Sequence, residues 1–192
     1  MSPTALNAEY IKRHIRTVPD WPAPARVKAL STTRSGGVSL SPWGSLNLGT
    51  HVGDKPESVA ANRTRLAESL PAEPAWLNQV HGIDVVDAAT CRGVPDADAA
   101  VARQGGAVCV VMTADCLPVL LCDRAGTVVG AAHAGWRGLA GQSGVGVLES
   151  AMRALFERFQ ALALTNKAQA AIKNVANNAE SFEAVARDTL TW

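Results

Sequence analysis

Hydrophobic positions in this 192-residue chain follow two rhythms, one of helices and one of buried strands. Near the start Pro19, Pro22 and Pro24 interrupt any regular pattern, so residues 1–24 are expected to form a loose arm. Arg26 to Thr33 then reads as a strand, and Arg34-Ser-Gly-Gly37 as a tight turn opening a long loop through Asn47 and His51. Asp54 ahead of Pro56, with Glu57 three residues on, has the pattern of an N-cap, a first-turn proline and a capping box. A helix is predicted from there to about Leu70. Val59, Leu66 and Leu70 share one of its faces at helical spacing, and Asn62 and Arg63 fall in the same stripe. Polar groups on an inward face need hydrogen-bond partners.

From Ala75 the pattern turns to strands. They are predicted over Ala75–Val80, Ile83–Asp87, Ala107–Met112, Pro118–Asp123 and Thr127–His133, with Asp123-Arg-Ala-Gly126 as the hairpin turn between the last two. The final three runs are almost continuously apolar, the pattern of strands covered on both faces. The fold class read from this is α/β (α+β), a mixed sheet with helices packed on it. A long helix is predicted from about Gly146 to Leu164, and a more polar one from about Asn166 to Thr189.

Composition narrows the functional classes. Hydrophobic residues make up 47% of the chain, enough for a single sizeable core. A formal net charge of +1 gives no clustered basic excess, so neither nucleic acid nor an acidic membrane is an expected partner. A small-molecule ligand is. The segment from Met1 to Asp20 lacks the apolar stretch of a signal peptide, and no run elsewhere has the length of a membrane span. A cytoplasmic protein is expected, acting as a monomer or small homo-oligomer. The four cysteines, Cys91, Cys109, Cys116 and Cys122, form no C-x-x-C pair and read as core fillers, ligands or nucleophiles rather than disulfides.

Three of the chain's chemically versatile residues stand in turns beside apolar runs: His81 in Leu77-Asn-Gln-Val-His-Gly82, Cys116 in Thr113-Ala-Asp-Cys-Leu-Pro118 and His133 in Ala131-Ala-His-Ala-Gly-Trp-Arg-Gly138. Two imidazoles and a thiolate suit zinc, and three protein ligands leave the fourth tetrahedral position open, as in catalytic sites. Each residue also has a simpler reading: a hydrogen-bonded structural histidine, or a core thiol. Cys109 and Cys122, inside apolar strand runs, read as core thiols. A second group suits an anion. Arg137 lies in Gly135-Trp-Arg-Gly138 at the start of a helix, where unpaired amides and the helix dipole favour negative charge. Arg34 is a further phosphate candidate or an exposed turn charge; Arg63 is another, or half of an internal ion pair with Asp54 or Asp115.

Taken together, Thr32-Thr-Arg-Ser-Gly-Gly-Val-Ser39, Leu46-Asn-Leu-Gly49, Val52-Gly-Asp54, Asn62-Arg63, Asn78-Gln-Val-His-Gly82, Thr113-Ala-Asp-Cys-Leu-Pro-Val119 and Ala132-His-Ala-Gly-Trp-Arg-Gly138 resemble the laccase-domain family, also called the YfiH family. Its members carry the labels polyphenol oxidase, purine nucleoside phosphorylase and peptidoglycan editing factor. The resemblance runs from about Trp21 to about Gly141. It implies a mixed α/β sandwich as a single catalytic domain, here over residues 25–162, with a metal held by the positions of His81, Cys116 and His133. It also implies phosphorolysis of adenosine, inosine and S-methyl-5′-thioadenosine, with deamination of adenosine at the same site. Residues 163–192 depart from the family and are expected to form an atypical helical tail, a truncated or divergent C-terminus that would remove one wall of the pocket.

On this reading zinc, with copper as the other candidate, acidifies water towards neutral pH for attack at C6 of adenine. Asp115 is the candidate for proton transfer, or else a hydrogen-bonding residue of its own turn. Arg34, with Arg63 and Arg137, would hold phosphate against C1′ of the ribose. Rival readings use the same residues: a metal-free hydrolase or peptidoglycan-editing enzyme with Cys116 as nucleophile and His133 as base, a copper polyphenol oxidase, and a binding domain whose altered tail has removed its activity. A single His2Cys site is fewer ligands than multicopper electron transfer demands.

Overall fold

Small side chains set the architecture around the site. The computed structural model describes residues 16–141 and 143–157. The helix predicted over Asn166–Thr189, the end of the one before it and the tail 163–192 lie outside them. A four-stranded mixed sheet has the order β3-β4-β6-β5, where β3 is Val85–Asp87, β4 Ala99–Ala102, β5 Leu117–Cys122 and β6 Val129–Ala134. β3 runs parallel to β4, and β6 is antiparallel to both β4 and β5. β4 is buried throughout and β6 nearly so, whereas the edge strand β5 is mostly half-buried. Continuous apolar sequence thus signals two-sided cover for β6 but not for β5, because an edge strand lacks a neighbour to shield it.

Helix α3, Val147–Glu157, lies across β3, β4 and β6. Its Val147 and Ala151 join Ala99, Ala132, Ala134 and Val119 in one buried cluster, so alanines on both surfaces permit close approach. The hairpin between β5 and β6 forms at the predicted turn. There Gly126 (φ 65°) donates to Asp123 O, and the Asp123 carboxylate accepts from Thr127 N, Thr127 Oγ1 and Val128 N. Burial alone would raise the Asp123 pKa, but these bonds from Thr127 and Val128 leave it lowered.

Helix α1, Pro56–Ala67, buries Val59, Asn62 and Leu66, as its stripe predicts. Leu66 packs with Leu46, Leu48 and Trp76 in a second cluster. Asn62, with 0% of its surface exposed, is the polar member of that face and finds four partners. Its Oδ1 accepts from Val38 N, and its Nδ2 donates to Ser39 Oγ, Ser45 O and Asn47 O. The side chain therefore ties the Arg34–Asn47 loop to the helix.

Several expected boundaries shift. The N-cap is Lys55, with no side-chain cap, because the Asp54 carboxylate turns to Ser39 Oγ (2.6 Å) and Asn47 Nδ2 (3.0 Å) and the helix stops at Ala67 rather than Leu70. The strand expected over Arg26–Thr33 reduces to β2, Ser31–Thr32, paired with β1, Arg16–Thr17, inside the segment expected to be a loose arm. Ile83–Asp87 is a strand only from Val85. Ala75–Val80 and Ala107–Met112 form no ladder, only the bridges Ala75–Cys109 and Asn78–Asp96. The Gln79 carboxamide takes the place of a neighbouring strand, donating to Met112 O and accepting from Met112 N. Strand β4 has no counterpart among the predicted strands.

Candidate metal centre

The sheet register builds the site. β5 pairs with β6 so that Pro118 faces His133 and Leu117 faces Ala134. One step further along the two chains brings Cys116 beside Gly135. His81 comes from a separate turn, Val80–Gly82, that docks against the same strand ends through Asp98, the residue immediately before β4. The structure thus brings His81, Cys116 and His133 together, with one ligand atom from each lying within 4.8 Å of the others. Cys116 Sγ is 3.6 Å from His81 Nε2, and the two imidazoles meet edge to face with centroids 4.7 Å apart.

Burial within the trio is graded: His81 is exposed, Cys116 half-buried and His133 buried. A side chain at Gly135 has no room, since an added Cβ would stand 2.7 Å from His81 Cδ2 and 3.1 Å from Cys116 Sγ. At Gly138 a Cβ would meet Gly82 O at 2.9 Å, so the second glycine of this motif lets the His81 turn close against α2, Trp136–Ala140.

Asp98 is absent from the residues that the sequence marks as candidates, yet its carboxylate is wholly buried at the heart of the site. Oδ1 accepts from His133 Nδ1 (2.7 Å) and His81 N (2.9 Å); Oδ2 accepts from Gly82 N (2.6 Å) and Val80 N (3.1 Å). A carboxylate on Nδ1 leaves His133 Nε2 with its lone pair free, the tautomer a metal ligand needs. The only signal in sequence is an aspartate opening an alanine run, which reads equally well as a turn residue.

The thiol has the opposite environment from an activated nucleophile. Burial, then the negative charge of Asp115 and its hydrogen bond, and finally the charge of Asp98, push the Cys116 thiol above its ordinary range. A nearby cation reverses that balance and stabilises the thiolate. The Cys116–His133 pair of the hydrolase reading also changes: the imidazole in contact with Cys116 Sγ is His81, while Asp98 holds His133 Nδ1. Cys109 behaves as a core thiol, raised to about 12 by burial and then by the charge of Asp87.

Other expected site residues have different company. Asp115 is exposed and accepts from Cys116 Sγ at 3.7 Å. Arg34 is exposed and donates to Gly44 O and Pro42 O within its own loop. Arg63, read as a phosphate candidate or half of an ion pair with Asp54 or Asp115, stacks 3.8 Å over Trp76 and donates to Leu48 O, with neither aspartate as a partner among the described residues. Arg137 is exposed, 5.3 Å from the Trp136 ring. The structure joins none of these three arginines to the trio by a hydrogen bond among the described residues.

The donor chemistry fits a borderline divalent ion: two imidazoles, one with its tautomer set, and a sulfur whose charged form requires a cation. Residues 28–182 match the family model described as multi-copper polyphenol oxidoreductase laccase. The chain belongs to this laccase-domain family. Within it, the chain is 59% identical over 137 residues to a protein of Pseudomonas aeruginosa named purine nucleoside phosphorylase, covering 71% of this chain and 54% of the relative. The Escherichia coli purine nucleoside phosphorylase YfiH is 57% identical over 138 residues, covering 69% and 54%. A crystal structure of a Neisseria meningitidis protein superposes with a TM-score of 0.68 at 58% identity, over 73% of this chain and 57% of that one. This laccase-domain chain therefore spans about half the length of the curated relatives it matches. Among its described residues, no helix is long and apolar enough to cross a membrane.

Proposed function

We propose that this laccase-domain chain is a zinc-dependent purine nucleoside phosphorylase acting on adenosine, inosine and S-methyl-5′-thioadenosine, and that it also deaminates adenosine. The observation that carries the reading is the convergence of His81, Cys116 and His133 within 4.8 Å at one end of the sheet. The names of the relatives supply the substrate class. Zinc is the proposed ion, with copper as the competitor, and when bound it supplies Lewis acidity at neutral pH.

The chain's own residues carry the rest. Asp115, exposed beside Cys116, would take or give the proton. Arg34 and Arg137, both exposed, would hold phosphate by charge-assisted hydrogen bonds and direct it at C1′ of the ribose. Arg63 would keep the Leu48 backbone in place from its seat on Trp76. A thiolate ligand suits a reducing, cytoplasmic setting.

His81→Ala tests the shared centre. The side chain is exposed, so its removal should leave the fold intact. Phosphorolysis and deamination should both disappear; retention of phosphorolysis with deamination lost would refute a common metal site.

A further inference from the structure

We propose that Asp98 is the positioning residue that assembles the site before any metal arrives, by orienting two ligands from separate elements with one carboxylate. The inference rests on the metal reading above and deepens it. Its basis is a complete set of four acceptor contacts. The His81 and His133 donors share Oδ1, and the Val80 and Gly82 donors share Oδ2. Two oxygens offer about four lone-pair sites, so the group has no remaining capacity and no exposure to water.

The backbone around His81 explains why such a clamp is needed. His81 has φ 60°, a left-handed conformation unfavourable for a non-glycine residue. Successive amides of Val80, His81 and Gly82 point inward to form a small anion-binding concavity, and Asp98 fills it. That turn aims the His81 ring at Cys116. The same carboxylate holds Nδ1 of His133, which leaves Nε2 bare. A carboxylate that merely filled a buried hole would have no reason to touch both ligands.

Asparagine cannot reproduce this arrangement. Whichever way its amide turns, the NH2 group faces two N–H donors, either those of Val80 and Gly82 or those of His81 and His133. Asp98→Asn should therefore lower zinc affinity by about 10–100-fold, the usual effect of losing a carboxylate behind a histidine ligand. Affinity is read by competition with a chromogenic zinc chelator, using the full chain. Wild-type affinity in a folded Asp98→Asn variant overturns the proposal. Failure of the wild type to take up zinc instead overturns the metal reading itself.

A second measurement stands apart from whether the variant folds. In metal-free wild-type protein, nitrogen-15 NMR of the His133 ring should find the proton on Nδ1 and none on Nε2. The amides of Val80, His81 and Gly82 should exchange slowly. A neutral ring carrying its proton on Nε2 in place of Nδ1, or amides exchanging at loop rates without metal, overturns the proposal.

Discussion

Gly135→Ala separates the fold from the site more cleanly than removal of a ligand. Gly135 has φ −68° and ψ 157°, an extended conformation that alanine adopts freely, so the backbone gives no reason for glycine there. The reason is spatial. An added Cβ would lie 2.7 Å from His81 Cδ2, about 0.8 Å inside the ~3.5 Å at which carbon atoms make favourable contact. His133 is buried and fixed by Asp98, but His81 is exposed and its ring can retreat. A retreat of that size is about four times the roughly 0.2 Å tolerance of a metal–ligand distance. Stability of the metal-free protein should change by no more than about 1 kcal/mol, as for other glycine-to-alanine exchanges at compatible positions. Zinc affinity should fall at least about tenfold, or ~1.4 kcal/mol. Denaturant unfolding and chelator competition on the same preparation give both quantities. A folded Gly135→Ala protein with wild-type zinc affinity would refute the steric argument.

Two further outcomes concern the loop that carries Arg34. Asn62→Ala removes a wholly buried side chain shared among Val38, Ser39, Ser45 and Asn47 and should destabilise the protein by roughly 3 kcal/mol in urea unfolding; a loss below about 1 kcal/mol would contradict the network's structural role. Asp54 has its pKa held below the ordinary carboxylate value by the Ser39 hydroxyl first and then by Asn47, so its contribution is present above the unfolded pKa and is lost as pH falls through the lower folded one. The stability gap between wild type and Asp54→Asn should therefore narrow below about pH 4, and a gap independent of pH would contradict that linkage.

Legibility in the sequence followed the range of each interaction. Helix α1, strands β5 and β6 and the Asp123–Gly126 turn rest on local patterns, and all were visible. The grouping of His81, Cys116 and His133, which could hold a metal ion, is suggested in sequence because each member closes an apolar run or sits in a glycine- or proline-bounded turn. Strand β4 was not visible, since Ala99-Ala-Val-Ala102 has little strand character of its own and owes its state to neighbours on both edges. Ala107–Met112 misled in the opposite direction, apolar enough for a strand but paired in part through the Gln79 side chain. Asp98 depends on partners up to 35 residues away, and no local pattern announces such a contact. Asp54 shows the same competition: its N-cap signal lost to Ser39 and Asn47, which folding brings alongside.

Adenosine turnover by purified protein, with and without phosphate, followed by chromatography alongside a metal assay of the same sample, decides whether a metal-bound phosphorylase is at work. About one zinc per chain is expected, with adenine released only when phosphate is present and slower, phosphate-independent formation of inosine. Bound zinc with no product would contradict the proposed activity, and adenine release by protein stripped of metal would contradict the proposed site.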